Sequence, residues 1–155
     1  MDDYLLLKTV HIVGAMILFG TGLGTAFHMW MSHLSGSVPA IAVAARNTVI
    51  ADFLFTTPAV VVQPATGVLL AVHAGIPLTE GWLSLSVGLY LVTGACWVPV
   101  VWLQVRMHRL ADAALAAGSA LPDRYYRYAR CWFWLGWPAF GAVLAIFYLM
   151  VFKTF

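Results

Sequence analysis

The sequence predicts an all-α, polytopic membrane protein: an antiparallel bundle of four transmembrane helices, with helices three and four extended into the cytoplasm. Three observations predict it. Only 14 of 155 residues are Asp, Glu, Lys or Arg, well below the roughly 25% of a soluble domain. Hydrophobic residues make up 63%, and the mean hydropathy is +0.90. The charges are clustered, so that residues 9–45, 53–79, 81–105 and 131–152 hold none. Each of these runs exceeds the ~18 apolar residues that mark a membrane-spanning helix. Such figures exclude a soluble globular protein, a disordered chain and a nucleic-acid-binding module. The four runs fill the chain, which reads as a single membrane domain, 1–155.

The first helix is expected at about 4–30. It starts behind Asp2 and Asp3, whereas a signal peptide has a positive start and a shorter apolar core; the segment reads as a retained span. Gly36 and Pro39 break the first loop, with a short interfacial helix over Ala40–Ala45. The second helix is expected at 49–73 and the third at 82–106, antiparallel neighbours across a short loop marked by Gly75, Pro77 and Gly81. Residues 110–117 still read as helix, and Pro122–Asp123 reads as a helix start. Helix four, at 130–152, therefore forms a hairpin with helix three that projects beyond the bilayer. Loops one and three carry Arg46, Arg106, Arg109, Arg124, Arg127 and Arg130, and the other side carries Lys8 and Lys153. Cytoplasmic loops are enriched in Lys and Arg, so both termini are expected outside. Trp30, Trp82, Trp102, Trp132 and Trp134 sit near helix ends as interface belt or packing residues, and Cys96 and Cys131 read as small residues buried in helices.

Polar groups at bilayer depth cost free energy without a partner, so each is a functional candidate. His11 lies on the first helix, ~10 Å below the outer surface. Gly14, Ala15, Leu18, Gly22 and Thr25 share its face. This groove admits either a flat cofactor, with His11 as an axial ligand to haem iron, or a neighbouring helix, with His11 hydrogen-bonded across. No C-x-x-C-H occurs, which excludes a c-type haem. His28 and His33 read as interfacial. On helix two, Asp52, Thr56, Ala59, Gln63 and Gly67 form one stripe, and Pro58 and Pro64 each free a backbone carbonyl. On helix three, Tyr90, Gly94, Trp97, Val101, Gln104 and His108 share a stripe, and Pro99 is expected to kink it. Asp52 reaches a depth similar to that of Arg106, Arg127 and Arg130, which predicts an Asp–Arg pair and spare positive charge for an anion.

These residues carry a resemblance. Lys-Thr-Val-His at 8–11, Thr-Thr-Pro at 56–58 with Gly67, Trp-Val-Pro-Val-Val-Trp-Leu-Gln at 97–104, Gly-Trp-Pro-Ala-Phe at 136–140 and Leu-Met-Val-Phe-Lys at 149–153 resemble an uncharacterised bacterial integral membrane family, a domain of unknown function. The likeness covers nearly the whole chain. A weaker likeness is to the HemJ-type protoporphyrinogen oxidases and the CopD-like copper-resistance proteins. In the former a helix-one His behind a Lys is taken to ligate haem b, and His11 behind Lys8 is the matching position. The Lys and His of that group's third helix are replaced here by Tyr90, Trp97 and Gln104.

The resemblance and the spacing together lead to an expected function: a haem b membrane protein of the bacterial inner membrane, in redox chemistry with a quinone or a porphyrin-type substrate. His11 would ligate the iron, with His73 or an open position as sixth ligand. Gly14, Gly22 and Thr25 would make room for the macrocycle, and Lys8, Arg106 or Arg130 would hold propionates. The alternative is a cofactor-free transport or accessory subunit, possibly related to metal ions, with the stripe from Asp52 to Gln63 as its polar path. Membrane lipid, a second copy of the chain and a redox partner subunit are the expected partners.

Overall fold

The computed structural model describes residues 2–153. They form helix α1 (Asp2–Leu34), helix α2 (Val38–Ala51), one π-helical turn (Asp52–Thr56), and helices α3 (Thr57–His73), α4 (Gly81–Ala116) and α5 (Asp123–Phe152). The α2, π and α3 segments are one continuous rod, so four rods are long and apolar enough to cross a membrane. Their lengths of 30 to 36 residues exceed the ~20 needed for the hydrocarbon core. The expected hairpin is present: α4 runs ten residues past Arg106, and α5 starts at Asp123 behind Pro122.

One expectation needs correction. Residues 40–45 are not a separate interfacial helix; they belong to α2, which leads straight into the second span. Arg46 and Asn47 look like loop residues in sequence. The alanines before them instead let α2 pack closely, and Ala44 and Ala45 are fully buried. Ser37 caps α2 with extended backbone, and Pro39 follows in its first turn, where its missing N–H has no helical partner to lose.

The turns at the other helix ends follow from glycine. Gly75 and Gly118 take φ of +66° and +58°, the left-handed conformation that glycine adopts without steric cost. Each closes a helix in the same way. Ile76 and Ser119 donate N–H bonds to Ala71 and Ala114, while Gly75 and Gly118 donate to Val72 and Leu115. This is the Schellman arrangement, and it satisfies carbonyls that would otherwise be orphaned.

Proline explains two further features. Pro58 has no N–H for the carbonyl one turn back, and its ring crowds that carbonyl. The chain widens into the π turn directly before it, and the Asp52 carbonyl accepts both the Thr57 N–H and the Thr57 hydroxyl (2.8 Å). Pro64 likewise leaves the Val60 carbonyl without its helical donor. Tyr90 of α4 supplies one: its hydroxyl donates to Val60 O at 2.5 Å. A carbonyl freed inside the membrane is thus satisfied from the neighbouring helix, as the lipid requires.

Packing divides the bundle. α1 packs on α3 and α2, while α4 packs on α5 and α2. One core lies at the arginine-rich end and joins Met29, Ala45, Met107, Tyr125, Ala129 and Trp132. A smaller one lies at the opposite end and joins Ala71, Trp82, Leu83 and Leu149. Between them α1 and α5 meet through large rings: Phe19 stands edge-on to Phe140 and Phe147, and Trp30 stacks on Phe133 with centroids 4.4 Å apart. Large apolar side chains such as Leu6, Met16, Leu91 and Val151 cover the outer surface and face lipid.

Candidate functional site

Two polar stations lie inside the bundle, both carried by the second rod. The first joins α1 to α3. Thr66 donates its hydroxyl to its own helix, at Val62 O (2.8 Å). With that proton so placed, its oxygen accepts from His11 Nδ1 at 2.8 Å, an assignment by hydrogen-bond pattern that puts the ring proton on Nδ1. The lone pair on Nε2 then faces the Gln63 amide nitrogen at 3.5 Å. Glycines let the helices approach. A Cβ on Gly67 would stand 3.3 Å from His11 Cε1, and one on Gly14 would stand 2.7 Å from Gln63 Oε1.

The second station is a cavity of about 400 Å³ in the α1–α5 seam. Its walls are mainly apolar and aromatic, with Phe19 and Trp30 from α1, Trp97 from α4, and Trp132, Phe133 and Phe140 from α5. Asp52 and Thr56 of the π turn and Gln104 of α4 make its polar end. Asp52 is 4% exposed. Thr56 and Gln104 stand beside the Asp52 carboxylate, but Asp52 Oδ2, Thr56 Oγ1, Gln104 Oε1 and Trp97 Nε1 are buried without a well-aligned hydrogen bond. A π turn re-aims side chains relative to a regular helix and recurs at functional sites. Leu23, Trp137 and Leu144 form an exposed rim, so the cavity opens toward lipid.

The expected site residues do not all come together. Gly14 makes room for Gln63 and not for a free groove, whereas Gly22 and Thr25 line the cavity. α1 and α3 run antiparallel with His11 opposite Thr66 and Gly14 beside Gln63. Continued by seven residues, that register carries His73 ~10 Å beyond Thr66, to the level of Tyr4. His73 is exposed there and bonds Leu69 O of its own helix. Lys8 is exposed three residues from His11. Arg106 and Arg130 sit at the other end. Both neighbour core residues that pack with Met29, 18 residues and ~27 Å along α1 from His11.

The Asp52–Arg pair expected from depth is also absent among the described residues. Arg106 lies over the Trp102 ring at 5.3 Å, and Arg130 lines a separate pocket beside His33 and Trp134. The pairing of a carboxylate with a base in these residues is His108–Asp112, at 3.4 Å. Depth along a helix does not fix direction around it: Asp52 faces inward and the arginines face outward. His33, expected at the interface, stands half-buried with the Trp30 and Tyr125 rings stacked beside it. Cys131, expected to be buried, is exposed on the outer surface, and Cys96 is half-buried.

The family described as predicted integral membrane protein (DUF2269) matches residues 5–154. The chain belongs to this family. That agrees with the four apolar rods and with the strong resemblance drawn from the sequence motifs. No curated protein and no solved structure matches the chain significantly. As a DUF2269 protein the chain is placed in the membrane, in contact with lipid.

Proposed function

We propose that this DUF2269 chain holds a lipophilic small molecule inside the bilayer, working as an intramembrane carrier or as an accessory subunit of a partner. The cavity supports this reading. A volume of about 400 Å³ falls in the range of small-molecule sites, which are mostly apolar with a few convergent polar groups. The exposed rim lets the molecule enter from lipid without crossing water.

A second reading, the haem b protein in redox exchange with a quinone or porphyrin-type partner, is favoured by one observation. Nδ1 of His11 is committed to Thr66, which leaves Nε2 as the ligating nitrogen, the arrangement by which a hydrogen bond orients a metal-bound imidazole. His11 would hold the iron, and the haem would supply one-electron chemistry. In this arrangement Gln63 caps Nε2, and the space beside the ring is taken by α3. The reading therefore requires the clasp to open.

One preparation tests both. Wild type, Gly22→Leu and His11→Ala are purified into nanodiscs, and each is examined by absorption spectroscopy and by mass spectrometry of an organic extract. A Cβ on Gly22 meets only Phe140, at an ordinary 3.9 Å, so leucine there fills the cavity without disrupting the backbone. The carrier reading expects a lipophile in the wild-type extract that is depleted in Gly22→Leu and retained in His11→Ala. Identical extracts from wild type and Gly22→Leu would overturn it. The haem reading expects a Soret band lost in His11→Ala, and a colourless wild type from haem-supplied cells would overturn that one.

The arginine asymmetry supports an inner-membrane protein with both termini in the periplasm. A reporter active only in the periplasm, fused after Phe155, is expected to be active. Activity there of a cytoplasmic reporter instead would reverse the orientation.

A further inference from the structure

Resting on the carrier reading of the cavity, we infer that its ligand is a lipophilic organic cation, with its charge set against Asp52 and its apolar body against the aromatic walls. The polar end of the cavity is rich in acceptors. Thr56 and Gln104 stand beside the Asp52 carboxylate as neutral polar neighbours, Asp52 Oδ2 and Gln104 Oε1 stay buried without a well-aligned hydrogen bond, and among the described residues no Arg, Lys or His lines the cavity. A carboxylate at this depth needs positive charge beside it to stay ionised. Among the described residues the protein provides none: the arginines at this end turn outward, and Asp52 makes no ion pair.

The walls identify the kind of cation. A metal ion of the calcium type takes six to eight oxygen ligands. Here one carboxylate, one amide oxygen and the Thr56 hydroxyl make the polar end of a large space lined with rings, and the other two lining hydroxyls, of Thr25 and Thr93, bond carbonyls of their own helices. Trp30 and Phe133 are stacked on each other, but Trp97 and Trp132 line the cavity from two further positions, on α4 and α5, and ring faces attract an organic cation through their quadrupoles, most strongly where water is excluded. A neutral quinone-type ring would meet Trp97 Nε1–H and the Thr56 hydroxyl through its carbonyls but would leave the Asp52 carboxylate without a countercharge. An anion would face the carboxylate directly.

The test uses the full chain in nanodiscs of neutral phosphatidylcholine and three isosteric probes built on phenyl rings: tetraphenylphosphonium, tetraphenylsilane and tetraphenylborate. They carry positive, zero and negative charge, and none gains or loses a proton in the working range. Asp52 is the titratable group among the described residues that line the cavity; His33 stands behind the Trp30 wall, stacked on it, so pH dependence is assigned to Asp52 only where Asp52→Asn removes it. Protonation removes the countercharge, so affinity for the phosphonium is expected to rise with pH to a plateau. Binding order is expected to be cation above neutral above anion. Asp52→Asn should weaken phosphonium binding roughly tenfold or more and erase its pH dependence, while leaving binding of the silane unaffected, which also shows that the variant is folded. Asp52→Glu should restore preference for the cation. Equal binding of cation and neutral probe, insensitive to Asp52→Asn, would overturn the cation inference and leave the carrier reading standing. No binding of any probe, with Gly22→Leu indistinguishable from wild type, would overturn both.

Discussion

Gly67→Val is expected to loosen α1 from α3 and to lower the melting temperature in detergent by an amount on the order of 10 °C. Even one added carbon at Gly67 would stand 3.3 Å from His11 Cε1, a distance at which the ring must yield by a few tenths of an ångström. The two further carbons of valine cannot be absorbed that way, and overpacking of this kind costs about 1–3 kcal/mol. Displacing the ring also breaks the His11–Thr66 bond, a term of about 1–2 kcal/mol between membrane helices. α1 has little else at this depth to hold it, since its buried residues among those described are Gly14 and, near the far end of the helix, Met29. Gly88→Val is the control, because nothing stands within 4 Å of a Cβ there. His11→Ala added to Gly67→Val removes the atoms that clash, so the double variant should be more stable than the sum of the single losses predicts. Strict additivity, or equal melting of Gly67→Val and Gly88→Val, would show that the clasp does not hold α1.

The spans were legible because lipid imposes a simple rule. Charges are excluded from the hydrocarbon core, so gaps between charged residues mark helices. The hairpin of α4 and α5 was legible for a similar reason: Pro122 and Gly118 are strong punctuation. The extension of the second rod back to Val38 was not. Its residues carry weak periodicity, and their role is close packing of alanines against α1 and α4, which depends on partners that a single segment does not reveal.

The site was half legible for a geometric reason. A regular helix puts Asp52, Thr56, Gln63 and Gly67 on one line at ~100° per residue. The π turn over Asp52–Thr56 breaks that phase, so the stripe divides: Asp52 and Thr56 face the cavity, and Gln63 and Gly67 face His11. Pro58 was the signal in the sequence for this break. The small residues around His11 were visible as a groove, but not what fills it. Gly14 serves Gln63, and Gly67 serves His11 itself, a pairing that belongs to two helices and cannot be read from one.

Tyr90 and Pro64 make the same point about partners and allow it to be measured. Pro64 frees the Val60 carbonyl, and the Tyr90 hydroxyl answers it. Tyr90→Phe keeps the ring and removes the donor, leaving a carbonyl unsatisfied away from water at a cost of about 1–3 kcal/mol. Pro64→Ala returns an N–H to α3 in the position that bonds Val60 O in a regular helix. The double variant Tyr90→Phe with Pro64→Ala is therefore expected to melt above Tyr90→Phe alone, although Pro64→Ala by itself gains little because Tyr90 already occupies the carbonyl. Measured in one detergent, the four proteins form a cycle whose coupling reads the shared acceptor directly. A double variant that melts at or below Tyr90→Phe would mean that the tyrosine contributes through its ring packing and not through the Val60 carbonyl.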